Sequence, residues 1–201
     1  ISFKEYQKII HLSNKYKNVF FSFHALYGKE LKIFKNYQNL NKYKEFKVYH
    51  NFYDPYLNNE KGHLGGPFWD SIYNVISCFI ELFPFELLIK DIKIIKDNSK
   101  IFNSQIIYSN TNNTKKITQE INIKWGTSIN YKISHLIYNK QCINISHSDQ
   151  LVSNSSGKTI EKIEFLNDRL TEHYSLVLKD ALSSMDLSRN SNFEKKISDI
   201  V

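Results

Sequence analysis

Gly62-His-Leu-Gly-Gly-Pro-Phe-Trp-Asp-Ser-Ile-Tyr-Asn-Val-Ile-Ser-Cys-Phe-Ile-Glu-Leu-Phe-Pro84 decides how the rest of the chain is read. Three glycines ahead of Pro67 mark a loop turning into a helix, because glycine suits the turn and proline the first helical position. The spacing predicts a helix from Pro67 to Phe83, stopped by Pro84. Asp70, Asn74, Ser77 and Glu81 then form one narrow polar stripe, and Phe68, Ile72, Val75, Ile76, Phe79, Ile80 and Phe83 cover the remainder. Such a helix is mostly buried, so its stripe faces either solvent or something polar. A solvent ribbon is the plain reading. Asp70 and Asn74, one turn apart just after the glycine loop, also suit a hydroxylated ligand, since free backbone N–H groups and the helix dipole favour a carboxylate that stays ionised.

Working outward, the 201 residues suit one substantial domain, or a domain with a fragment of another. No apolar run approaches the roughly 20 residues that span a bilayer, and no secretory signal opens the sequence. Cys78 and Cys142 read as reduced core thiols, which makes a cytoplasmic location the default. The formal charge is +7, yet only Arg169 and Arg189 are arginines and the lysines are spread along the chain. A nucleic-acid binder gathers its basic residues on one element, so no nucleic-acid partner is expected, and no membrane partner either. The chain opens at Ile1 almost directly on a helical pattern, and an N-terminal truncation is expected.

Residues 2–16 read as an amphipathic helix, Asn18–His24 as a buried strand, and Tyr27–Tyr37 as a second helix, which together resemble the last crossover of a parallel sheet. His24, at that strand's carboxyl end, is a candidate ligand contact. Phe46–Phe52 alternates as a strand and leads into an aromatic turn, with Tyr49, His50, Tyr53 and Tyr56 as a cluster that suits a sugar or base face, or simple edge packing. Runs at Leu87–Ile95, Ile101–Ser109, Lys116–Trp125, Asn130–Ile137 and Gln141–His147 predict an antiparallel meander, and Leu151 opens a hairpin onto Thr159–Phe165. Gly157-Lys-Thr is not a phosphate loop, because Val152 stands where that motif needs glycine. Leu170–Met185 reads as a helix packing through Tyr174, Val177, Leu178 and Leu182, and Phe193–Val201 as a short terminal one. The fold class is therefore α+β, an open, mainly antiparallel sheet with helices on one face. The bare face predicts a homo-oligomer through the sheet.

These pieces resemble the Gfo/Idh/MocA-type oxidoreductases, whose substrate domain carries a Gly-Gly loop running into an Asp-x-x-x-His helix. Asp70 takes the aspartate place and Asn74 the histidine place, which narrows the resemblance to the aldose 1-dehydrogenases acting on L-arabinose or D-galactose. There the helix typically reads Phe-Asp-Pro-Gly-Ile-Asn-Ala-Leu-Ser; here it reads Trp69-Asp-Ser-Ile-Tyr-Asn-Val-Ile-Ser77. Phe23-His24-Ala25 and Tyr49-His50 resemble two Trp-His pairs of that family, and Ile123-Lys-Trp125 resembles a Phe-Asp-Trp strand. The family's Gly-x-Gly-x-x-Gly loop and Glu-Lys-Pro segment are absent from this sequence, Lys44 stands where it has a glutamate, and its Pro-Gly has become Ser71-Ile72.

The resemblance implies residues 1–40 as the end of a Rossmann dinucleotide-binding domain and 41–201 as a substrate-binding and oligomerisation domain. It implies NAD or NADP as cofactor and oxidation of an aldose at C1 to the lactone, the fragment alone being inactive. Asp70 would accept a proton or hold the family's lysine, and Asn74 would orient hydroxyls through its amide. His24 and His50 would contact hydroxyls, with Tyr49 and Trp125 as stacking walls. A non-enzymatic carbohydrate-binding or scaffold protein of the same fold, and a dehydrogenase of another polyol, stand as the alternatives.

Overall fold

A computed structural model describes residues 8, 11, 23–37, 40–56, 66–154, 156–162 and 168–182. The expected helix over 2–16, all but the end of the expected strand over 18–24, and the expected helix over 193–201 lie outside the described residues. Among the described residues eight strands form one sheet: β1 (Glu45–Asp54), β2 (Leu87–Asp97), β3 (Ile101–Asn110), β4 (Lys116–Trp125), β5 (Tyr131–Tyr138), β6 (Gln141–Ser146), β7 (Leu151–Asn154) and β8 (Thr159–Lys162). Their order is β2-β3-β4-β1-β5-β6-β7-β8. Among the described residues the α-helices α1 (Lys29–Tyr37), α2 (Pro67–Glu81) and α3 (Arg169–Leu182) join them, with short 3-10 turns at His24–Tyr27 and Leu40–Lys42. Among the described residues no helix is long and apolar enough to cross a membrane.

The meander is real but split. β1, first in the chain, lies between β4 and β5, parallel to β4 and antiparallel to β5. Its alternation explains the placement. Phe46, Val48, His50, Phe52 and Asp54 are buried on one face, while Lys47, Tyr49, Asn51 and Tyr53 point to the other. A strand with one face fully covered and a hydrogen-bonded neighbour on both edges belongs in the middle of a sheet.

α2 begins where Gly66 takes a positive φ of 100°, a conformation glycine reaches without strain, and Pro67 follows in the first turn. Its apolar side packs over β1, β3 and β4, with Phe79 against Tyr108 at 4.8 Å between ring centroids. The polar stripe does not face solvent. Ser77 is wholly buried and donates to the Asn74 carbonyl, and Glu81 pairs with Lys35 of α1. α1 covers β6 and β7, and Leu31, Phe34, Val48, Phe79, Ile145 and Val152 share one core.

α3 departs from its expected packing. Val177 is buried, but Tyr174, Leu178 and Leu182 are 47%, 60% and 82% exposed, and His173 at 1% is the residue that docks. Its i, i+4 partner Val177 lies on the same side, so the helix seats through His173 and Val177, with the half-exposed Tyr174 ring stacked on His24 of the His24–Tyr27 turn. The apolar period misread that helix because its docking residue is a histidine.

Candidate functional site

The carboxyl ends of the parallel strands β1 and β4 lie beneath the first turns of α2, and there a recess of about 30 Å³ opens between sheet and helices. Asn74 and Cys78 reach it from α2, His24 from the 3-10 turn, Glu30 from α1, Lys132 from β5, and Arg169 and His173 from α3. His147, just after β6, completes the wall. The space is small, so it admits a single small substituent of a larger ligand.

Of the residues expected from sequence, the structure brings His24 and Asn74 together here. His24 opens the 3-10 turn, whose first hydrogen bond runs from Leu26 N–H to the Phe23 carbonyl at 3.0 Å. Its ring stacks on Tyr174 at 5.3 Å and lies 6.2 Å from His173. Asp70, one turn before Asn74, does not line the recess. It lies near Tyr56, whose hydroxyl pKa is raised by burial and by the charges of Asp54 and Asp70. Trp125 packs edge-on to Tyr56 at 6.0 Å and is buried at the end of β4, opposite Asp54 in the ladder. Tyr56 thus feels the Asp70 charge and packs against Trp125, and none of the three lines the recess. Tyr49 is placed on the opposite face of the sheet, because adjacent strand residues alternate and His50 faces the helices.

His50 lies beneath the recess, inside a buried chain of hydrogen bonds. His50 Nδ1 is 2.7 Å from Ser134 Oγ, Ser134 Oγ is 2.8 Å from His147 Nε2, and His147 Nδ1 is 2.9 Å from Glu30 Oε1. A carboxylate only accepts, so His147 Nδ1–H donates to it. With the neutral ring, Nε2 then accepts the Ser134 hydroxyl proton, and Ser134 accepts from His50 Nδ1–H. The spacing is that of a Ser-His-Glu triad, but Ser134 is wholly buried and its remaining lone pair is engaged, so it is no nucleophile. What the chain does is fix the orientation of His147 in the wall of the recess.

Beside it, Lys132 Nζ lies 2.8 Å from Asp54 Oδ1, and Asp54 has no exposed surface. Lys29 pairs with Glu172 at the outer rim. His24 and His173 both have pKa values lowered to about 4, burial being the largest cause; each also feels the Arg169 guanidinium, and Glu30 opposes the shift at His173. Both rings are neutral at pH 7, hydrogen-bond partners rather than strong bases. Burial likewise pushes the Cys78 thiol up, so it stays protonated. Among the described residues no group of three or more His, Cys, Asp or Glu can hold a metal ion. Glu30, Asp54, Lys132, His147, Arg169 and His173 escaped the sequence reading. Only Arg169, one of two arginines, carried a signal that could have singled it out.

No protein-family model matches the sequence, and no curated protein matches it. Solved structures do match, and the fold is that of the C-terminal domain of Gfo/Idh/MocA-type dehydrogenases. UDP-N-acetylglucosamine 3-dehydrogenase GnnA from Acidithiobacillus ferrooxidans superposes with a TM-score of 0.65 over 98% of this chain and 64% of its own, at 6% identity. D-galactose-1-dehydrogenase from Rhizobium etli gives 0.55 over 90% and 59%, at 13% identity. The dehydrogenase MviM from Clostridium difficile gives 0.59 over 96% and 66%, at 11% identity. What is shared at such identities is the fold, and this chain spans about 64% of the length of GnnA.

The described residues do not fit a dinucleotide. None of the six glycines falls into Gly-x-Gly-x-x-Gly, and the parallel strands β1 and β4 are joined through α2, β2 and β3 rather than by the strand–glycine loop–helix unit that cradles a pyrophosphate.

Proposed function

We propose that this chain is the substrate-binding part of an NAD(P)-dependent oxidoreductase acting on a sugar, with oxidation of an aldose at C1 as the specific reaction. One observation carries the reading: Asn74, on the helix that follows the glycine loop, meets His24, Lys132 and His173 at the carboxyl end of β1, on the fold that sugar dehydrogenases use. The nicotinamide dinucleotide would supply the hydride acceptor and would be held by parts of the protein other than the residues described here. The chain's own groups bind and orient. The Asn74 amide can both donate to and accept from hydroxyls, and neutral His24 can do either according to its tautomer. Lys132, oriented by buried Asp54, presents a donor toward the recess. Asp70 stands outside it, near Tyr56, where a sugar larger than the recess would extend.

The test is sugar-dependent reduction of NAD and NADP by the full-length protein with galactose and arabinose. Asn74→Ala and His24→Ala are each expected to lower kcat/KM about fivefold or more, since a lost hydrogen bond to a bound hydroxyl costs on the order of 1 kcal/mol or more. Activity unchanged by both substitutions would remove the recess from the substrate site, and activity unchanged by Asp70→Ala would remove Asp70.

A second copy of the chain is proposed as the partner of the opposite sheet face. There Tyr49, Asn51, Tyr53, Ile107, Ile133 and Ile137 are only half-covered within one chain. Light scattering is expected to report a dimer or larger assembly, and a monomer in dilute solution would refute it.

A further inference from the structure

We propose that the recess takes the carboxylate of a sugar acid, held by Arg169 with His173 beside it. The inference deepens the sugar reading above and rests on it. Its first support is a charge count. Lys132 is taken by Asp54, Lys29 by Glu172, and one oxygen of the Glu30 carboxylate accepts from His147. The Asp168 carboxylate caps α3 by accepting from Leu170 and Thr171 N–H at 3.0 and 3.1 Å. Arg169 is left, among the described residues, without a carboxylate at ion-pair distance, although it lines the recess.

A second, separate observation comes from His173. Its residue is 1% exposed, and neither ring nitrogen has a hydrogen-bond partner among the described residues. A buried imidazole with both nitrogens idle loses hydrogen bonds that a ligand in the recess would restore. Glu30 Oε2 is likewise buried and without a partner, an acceptor for a neighbouring sugar hydroxyl.

Size and charge then select the group. About 30 Å³ has room for one small planar substituent, and a guanidinium fork matches a carboxylate with two parallel bonds. A phosphate dianion is bulkier, and its second charge would face Glu30.

The experiment is calorimetric titration of the 201-residue chain with galacturonate, its methyl ester, galactose and galactose 6-phosphate. Galacturonate is expected to bind at least about tenfold more tightly than its methyl ester, which keeps the shape and removes the charge. Equal affinity for acid and ester overturns the inference while leaving the sugar reading intact, and so does tighter binding of the phosphate. Binding of none of the four overturns both. Arg169→Gln is expected to abolish the preference for acid over ester. Lys124→Gln, the same charge change on the opposite sheet face, is expected to keep it, and equal losses in the two variants would assign the preference to the general positive field. The wild-type comparison of acid with ester decides the matter even if Arg169→Gln fails to fold.

Discussion

Gly28→Ala isolates the Glu30–His147 bond without touching either residue. Gly28 has a φ of −57°, which alanine adopts readily, so the backbone raises no objection. The obstacle is the side chain two residues on. A methyl group at Gly28 would sit 2.4 Å from Glu30 Oε1 and 2.8 Å from both the carboxyl carbon and Oε2. The carboxylate folds back over Gly28 to reach His147, and it is 1% exposed. It must therefore leave, giving up a charge-assisted hydrogen bond of about 1.5–3 kcal/mol and leaving a buried N–H unpaired. Reduced freedom of the unfolded chain returns about 0.4–1 kcal/mol, so the net loss is about 1–2 kcal/mol. For a domain of this size that lowers Tm by roughly 2–8 °C, readable by circular dichroism or calorimetry. The decisive arm is the same substitution in a Glu30→Ala background, where the three atoms nearest the methyl, all in the Glu30 carboxyl group, are gone. There Gly28→Ala is expected to be neutral or stabilising by a few tenths of a kcal/mol to about 1 kcal/mol. An equal destabilisation in both backgrounds would refute the claim that the carboxylate is what the missing side chain accommodates.

Lys132→Met leaves Asp54 charged and fully buried and is expected to cost about 3–5 kcal/mol in urea unfolding, most of it recovered by adding Asp54→Asn. His24 and His173 have folded pKa values near 4 against an ordinary 6.5, so the unfolded chain binds the extra protons. Stability is then full above about 6.5 and falls as the pH drops toward 4, and His173→Gln is expected to flatten that slope in pH-dependent melting curves. The charged and titratable groups around the two rings are Arg169, Glu172, Lys132, Glu30 and His147, and the carboxylates among them limit the slope. Gly66→Ala forces a residue with a side chain into φ of 100°, with open space around it. The expected loss is about 1 kcal/mol or more from backbone strain alone, measured as a shift of the denaturant midpoint at constant m.

The sheet was legible because each strand states its own period. β4 runs over Lys116–Trp125 as the alternation predicts, and the boundaries of β2, β3, β5 and β6 move by at most two residues. The place of β1 was not legible, because nothing local to Glu45–Asp54 says that its neighbours will be β4 and β5. α2 was read almost to the residue from Gly66, Pro67 and Pro84, signals that act within a turn or two. α3 was misread for the converse reason, its buried side holding His173 and its apolar Leu178 and Leu182 facing outward.

The site obeys the same division between local and long-range information. Asn74 and His24 could be picked out because each sits next to a recognisable turn, but His50 shows how little a motif says about what a residue touches. Read as one member of a Tyr-His pair, it suggests a contact to a sugar hydroxyl; placed on β1, it lies under Phe79 and bonds to Ser134, 84 residues later. The Glu30–His147 bond closes a separation of 117 residues, and Lys132 meets Asp54 across two strands whose pairing the sequence does not announce. Both ion-bearing pairs are buried, so each partner is costly alone and acceptable only in company. A helix α1 that docked one turn out of place would bury Glu30 without His147. The recess is in this sense a check on the fold as well as a product of it, because the polar groups that line its floor penalise every arrangement of β1, β5, α1 and α3 except the one that pairs them.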